Sequence, residues 1–266
     1  IALGYDAMAS STTSTNNTII GDFAGDALTT GSSNVAIGYN SYSSDDVGQW
    51  NVAVGRGTLQ NQNIVTATTT CNVTLHANNS GAYNTAIGAL ALDASTTAAN
   101  NTAVGYGALS TTNHNANTAI GFQAMQNSSG AANNTAVGYE ALKANTGFGN
   151  VAVGLQAAVS NTSAAGITAL GYQALNSNTT GGNNTAVGYQ AVDANTTGSH
   201  NTALGYAALG GNTTGIQNVA IGSNALLDST TGNYNVAVGY LANENNTTGS
   251  QNVSIGRAAL NENTTG

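Results

Sequence analysis

Apolar and polar positions recur along this chain with a period near 17 residues, most clearly around the short run N-[TV]-A-[VIL]-G. Its glycine stands at Gly4, Gly21, Gly38, Gly55, Gly88, Gly105, Gly121, Gly138, Gly154, Gly171, Gly188, Gly205, Gly222, Gly239 and Gly256. Successive glycines lie 17 residues apart, apart from two gaps of 16 and one of 33 between Gly55 and Gly88. The long gap contains a degenerate copy, NVTLH at 72–76, with His76 in the place of the glycine. The full unit reads N-[TV]-A-[VIL]-G-Y-x-A-L-x-x-N-T-T-G-x-x. Its first five positions alternate as a strand does, AL is a second apolar contact, and NTTG is turn chemistry. Propeller blades and helical-hairpin repeats need roughly 33 to 50 residues, so a 17-residue unit is one coil of a parallel β-solenoid. The sequence therefore predicts an all-β fold: a β-solenoid of about 16 coils over residues 1–266, with an irregular coil and an insertion at 56–88. Proline, which would remove a donor from the ladder, is absent throughout. Both ends read as mid-repeat, so the array is expected to continue into more chain or to stack end to end.

Strand alternation sorts the side chains into two faces. Positions two and four share one face, as Thr185 and Val187 do, and positions three and five share the other, as Ala186 and Gly188 do. The small-residue face, with Ala186, Ala203, Gly105, Gly138, Gly188, Gly205 and Gly239 as its ladder, lets another backbone come close. It lies either in a narrow coil interior or against a neighbouring chain. Position four, always Val, Ile or Leu in the regular units, is expected to form the hydrophobic core with the leucine of position nine.

Charge alters the functional picture by exclusion. Only 5% of residues are charged, the net charge is −8, and the cations are Arg56, Lys143 and Arg257, so nucleic acid is not an expected partner. No apolar run approaches the roughly 20 residues of a membrane helix, so membrane insertion is not expected either. Cys71 stands alone, which excludes an internal disulfide. The acids Asp6, Asp26, Asp93, Glu140, Asp193, Asp228, Glu244 and Glu262 are scattered at corner positions, and His76, His114 and His200 lie far apart. Nothing converges as a catalytic pair or triad, so the chain is read as not an enzyme and as needing no cofactor. Asp45 and Asp46, next to Trp50, are a weak candidate cation site, well short of the six to eight oxygens calcium takes.

Repetition turns side chains into ladders. Tyrosine follows the glycine at Tyr5, Tyr39, Tyr106, Tyr139, Tyr172, Tyr189, Tyr206 and Tyr240, interrupted by Asp22, Arg56 and Ser223. This column serves either as stacking in a corner or at a chain interface, or as a carbohydrate-binding strip. A second ladder, of threonine, includes Thr197, Thr214, Thr231 and Thr248. Rows of threonine on a solenoid suggest ice binding as an alternative function, although these precede glycine and read as turns. Asn-x-Thr triplets at Asn195, Asn212, Asn246 and Asn263 match the glycan acceptor pattern, which an Asn-Thr-rich repeat generates automatically.

The motif N-T-A-V-G-Y-x-A-L at 134–142 and 101–109 resembles the short repeats of the trimeric β-roll found in heads of trimeric autotransporter adhesins and in phage tail-fibre-like proteins. The resemblance covers essentially the whole chain. It implies three chains packed as left-handed parallel β-rolls, and adhesion to surfaces such as host matrix or cell envelope. The expected function is thus a structural part of an extracellular or virion fibre or filament with a repetitive adhesive surface. The expected partners are copies of itself, as homotrimer or end-to-end polymer, and cell-surface glycan; the alternative is an ice-binding or carbohydrate-binding solenoid.

Overall fold

The structure, a computed structural model, describes residues 1–44, 47–49, 51–58, 67–70 (backbone only), 83–111 and 113–266. They group into two compact units, Ile1–Asn133 and Asn134–Gly266. The first contains β1 (Ala2–Leu3), β2 (Thr18–Ile20), β3 (Val35–Ile37), β4 (Val52–Val54), β5 (Ala67–Thr70), β6 (Asn84–Ile87), β7 (Thr102–Val104) and β8 (Thr118–Ile120). The second contains β9 (Thr135–Val137), β10 (Val151–Val153), β11 (Thr168–Leu170), β12 (Thr185–Val187), β13 (Thr202–Leu204), β14 (Val219–Ile221), β15 (Val236–Val238) and β16 (Val253–Ile255).

Within each unit every strand pairs in parallel with the next in sequence, and equivalent repeat positions face each other. Thr168, Ala169 and Leu170 pair with Thr185, Ala186 and Val187, for example. The fold is therefore an all-β parallel β-solenoid with a period of about 17 residues. It makes about 13 turns, slightly fewer than the 16 units counted in the sequence, and residues 59–66 and 71–82 lie outside the described residues.

The 33-residue gap resolves into two steps of ordinary length, because β5 pairs Thr68 with Val52 on one side and with Thr85 on the other. The strand paired in this coil is thus Ala67–Thr70, whereas the degenerate copy of the motif points to 72–76. Residues 72–76 lie outside the described residues. Register, rather than likeness to the NTAVG motif, determines which segment is paired, and a run of threonines is β-branched enough to serve.

The interior is narrower than expected. Ala169, Ala186, Ala203, Ala220 and Ala237 at position three are fully buried within their own chain, so the small-residue face lines the coil interior and is not reserved for a neighbouring chain. Position four points outward, which overturns its assignment to the core. Leu204 is 49% exposed and Leu170 44%. The reason is volume. A 17-residue coil leaves little room between its walls, and the leucines of position nine fill it. Leu142, Leu175, Leu209 and Leu226 are fully buried, together with the alanines before them. With large residues on one wall only alanine fits on the other, so alternation sends the aliphatic residue of position four to the surface.

The position-nine leucines reach the interior from a turn, not a strand. Gln190 and Val192 both have φ near +50° (51° and 55°), and Leu175 and Leu209 do likewise at 53° and 54°. These turns are paired between coils as well. Gln190 N–H donates to Tyr172 O at 2.9 Å, one coil back, and Val192 N–H donates to Ala208 O at 3.1 Å, one coil forward. Alternating the direction of pairing keeps the backbone satisfied through a segment with no strand. At Gly188, φ is +142°, and a Cβ there would collide with the carbonyl of Gly205. The motif glycine is therefore required for stacking as well as for chain direction.

Two columns of asparagine hold the remaining wall. At position one, Asn184 Oδ1 accepts from Asn201 N–H at 2.9 Å, and Asn184 Nδ2 donates to Gly198 O at 2.7 Å. At position twelve the amides bond each other: Asn178 Nδ2 to Asn161 Oδ1 at 3.0 Å, Asn195 Nδ2 to Asn178 Oδ1 at 2.7 Å, Asn212 Nδ2 to Asn195 Oδ1 at 2.9 Å. All these asparagines are buried. Burial of an amide is tolerable because each coil offers the next a partner at the same height.

Candidate functional site

With interior and turns assigned, the surface of each unit consists of parallel columns, one rung per coil. The strand face carries Thr or Val at position two and Val, Leu or Ile at position four. In the second unit position four runs through Val137, Val153, Leu170, Val187, Leu204, Ile221, Val238 and Ile255, each half-buried or exposed. From β14 onward position two is also valine, at Val219, Val236 and Val253, so this face becomes wholly aliphatic.

Beside it runs the tyrosine column. The rings of Tyr172 and Tyr189 stack at 4.9 Å with 7° between planes, and Tyr189 and Tyr206 at 5.3 Å with 8°. In the first unit Tyr106 stacks on Phe122 at 5.3 Å and 15°. All remain about half exposed at their edges. Tyr5 and Tyr39 meet Phe23 edge-on, at 5.4 and 5.9 Å. Asp22, which holds tyrosine's repeat position there, accepts Tyr5 N–H at 2.9 Å. Arg56 and Arg257 hold tyrosine's repeat position too, and their guanidinium carbons lie 5.6 Å from the Tyr39 ring and 5.9 Å from the Tyr240 ring. Arg56 therefore extends the column by a cation–π contact instead of interrupting it. Faces already engaged by neighbouring rings are not open for stacking on sugar; the edges and hydroxyls are what the middle of the Tyr172–Tyr206 stack presents.

The threonine ladder occupies a corner. Thr196 Oγ1 donates to Thr213 O at 3.0 Å, and Thr213 Oγ1 to Thr230 O at 3.0 Å, so the first threonine of each pair serves the backbone. The second, Thr197, Thr214, Thr231 and Thr248, is exposed. It stands in a turn and not on a strand. Asn195, Asn212 and Asn246 are buried within the same turns, so their amides are inaccessible to a glycan in the folded chain.

A fourth column was not anticipated. At position seven Gln190 Nε2 donates to Gln173 Oε1 at 3.2 Å, Gln173 to Gln156 Oε1 at 3.1 Å, and Gln156 to Glu140 Oε2 at 3.0 Å. Lys143 Nζ holds the other carboxylate oxygen at 2.6 Å. The lysine bond and then the Gln156 amide hold Glu140 below the usual glutamate range. The signal was present in the sequence as Glu, Gln, Gln, Gln at one repeat position. Elsewhere, burial pushes the carboxyls of Asp26 and Asp193 up.

Of the residues singled out from sequence, Gly138, Gly188, Gly205 and Gly239 stack in one column of the second unit and Gly105 in the first, each against the glycine one coil on. Ala186 and Ala203 are interior, and the tyrosines and second threonines are on the surface. Asp45, Asp46 and Trp50 lie outside the described residues. Among the described residues no three His, Cys, Asp or Glu side chains converge on one point. Comparison of the chain with protein-family models, with curated proteins and with solved structures finds no match.

Proposed function

We propose that this chain is a structural segment of an extracellular or virion fibre or filament, in which copies associate side by side through the outward aliphatic strand face. The observation that supports this reading is the column of position four, where Leu170, Leu204 and Ile221 stand 37 to 49% exposed in one unbroken row. Soluble monomers rarely expose contiguous apolar patches beyond a few hundred Å². Side chains of Val, Leu and Ile at every rung, nearly free of charge, have the composition of an interface core. Three copies around a common axis is the arrangement that the resemblance of the repeat implies, and a repetitive outer surface is then left to meet a host or envelope surface.

Native mass by light scattering, paired with electron microscopy, tests the reading. Discrete trimers or regular fibres are expected, and the double variant Leu170→Glu/Leu204→Glu is expected to dissociate while keeping its β-sheet circular dichroism. A clean monomer of the parent chain at all concentrations overturns the proposal.

A further inference from the structure

The tyrosine column contains more order than a surface needs. Tyr172, Tyr189 and Tyr206 are neither buried in a core nor dispersed: they are 41 to 55% exposed, yet their rings lie nearly parallel at 4.9 and 5.3 Å. Each ring is held by its own coil, so the approach of one phenol to the next has already been made by folding. For a reaction between two phenols, this prior alignment replaces a bimolecular encounter by an intramolecular one.

We propose that the Tyr172–Tyr189–Tyr206 stack is a site of oxidative tyrosine–tyrosine coupling, a covalent staple between successive coils. The oxidant class is hydrogen peroxide used by a haem peroxidase. Each of two stacked phenols gives up one electron and one proton and becomes a tyrosyl radical, with spin on its ortho carbons. The two ortho carbons join in a new C–C bond, and the two ring hydrogens at the junction move to the phenol oxygens as aromaticity returns. The pair loses two hydrogen atoms in all, and one hydrogen peroxide is reduced to two waters. Exposure of the ring edges admits the oxidant's radical chemistry and leaves the rings free to twist out of parallel as the bond forms.

The second unit carries its own controls. Tyr240 and Tyr234 are as exposed, at 48 and 50%. Tyr240 has Arg257 against its ring and Ser223 at the preceding rung, and Tyr234 is flanked at its repeat position by Gln217 and Gln251. Random oxidation engages these two as readily as the stack; proximity-controlled coupling does not. Both stacks share Tyr189, so Tyr189→Phe leaves the stacking ring in place and removes the phenol on which each coupling depends.

The experiment is brief treatment of the purified chain with peroxidase and hydrogen peroxide, followed by thermolysin digestion and peptide mass spectrometry. A mixture of isotope-labelled and unlabelled chains separates links within a chain from links between chains. The expected result is within-chain dityrosine joining Tyr189 to Tyr172 or Tyr206, at least tenfold more abundant than any link through Tyr234 or Tyr240. Tyr189→Phe, with unchanged circular dichroism, is expected to lose these links and their dityrosine fluorescence. Three outcomes overturn the proposal: no within-chain link at Tyr189, links through Tyr234 or Tyr240 in comparable yield, or links solely between chains.

Discussion

Asn212 and Ser229 occupy successive rungs of the buried amide ladder and break it. Asn212 Nδ2 still donates backwards to Asn195 Oδ1 at 2.9 Å, but Asn212 Oδ1 and Ser229 Oγ are both buried without a partner. Serine is too short to continue a chain of bonds that asparagine spans in every coil from Asn145 to Asn212.

Ser229→Asn should close this gap. A new amide can donate to Asn212 Oδ1 and accept from Asn246, with a net gain of about 1 to 2 kcal/mol. Thermal melting and amide hydrogen exchange are the suitable measurements, because a repeat array need not unfold in one step. Unchanged exchange protection at residues 212–230 contradicts the account.

Asn243 stands where the other coils of the second unit put an apolar residue: Leu142, Ala158, Leu175, Val192, Leu209 and Leu226 precede it. It is fully buried, and neither its Oδ1 nor its Nδ2 has a partner. Its φ of 52° favours asparagine over leucine, by about 1 kcal/mol. Relief of an unpartnered amide, about 1 to 3 kcal/mol, together with apolar burial outweighs that preference. Asn243→Leu is therefore expected to stabilise the second unit by at least about 1 kcal/mol, read from its melting temperature; a drop in that temperature contradicts this balance.

Ala186 and Leu204 are both apolar strand residues on adjacent coils, and they should respond oppositely to change. Ala186→Leu forces extra carbons into a filled interior and is expected to cost about 3 kcal/mol or more, visible as lost protection around β12. Leu204→Ala removes a side chain that is half in solvent in the isolated chain, and its cost to folding should stay below about 1 kcal/mol. A pair of equal stability effects excludes the inward place of Ala186 and the outward place of Leu204.

Titration should act in two directions. Glu140 is held below its usual range, so its stabilising contribution is complete above the unfolded pKa and is lost as pH falls through the depressed folded value. Asp193 is pushed up by burial, so the fold is favoured by its protonated form, and that contribution is lost as pH rises through the raised folded value. Asp193→Asn should leave melting unchanged in acid and raise it at neutral pH, whereas Glu140→Gln should flatten the acid decline. Parallel pH profiles for the parent and Asp193→Asn contradict the burial assigned to this carboxyl.

Much of this was legible from the repeat alone. Period, strand position, glycine anchors and ladder formation follow from the spacing of N-[TV]-A-[VIL]-G, because in-register stacking requires each coil to return to the same height. Composition likewise pointed to uncharged surfaces. Hydrophobicity, however, put Leu204 and its column inside, and likeness to the motif put the strand of the irregular coil at 72–76 instead of Ala67–Thr70.

What the sequence determined by itself was the one-dimensional order: which residues share a rung, and that small, aliphatic, aromatic and amide residues form separate columns. Which columns face inward was decided by the tertiary structure. A side chain's place depends on the space left by the opposite wall of its coil, and that wall is a turn with positive φ at Leu175 and Leu209, which no alternation rule describes. The buried amides follow from the same cause: asparagine enters the interior only because the next coil brings an acceptor to it, and that acceptor exists only once the coils are stacked.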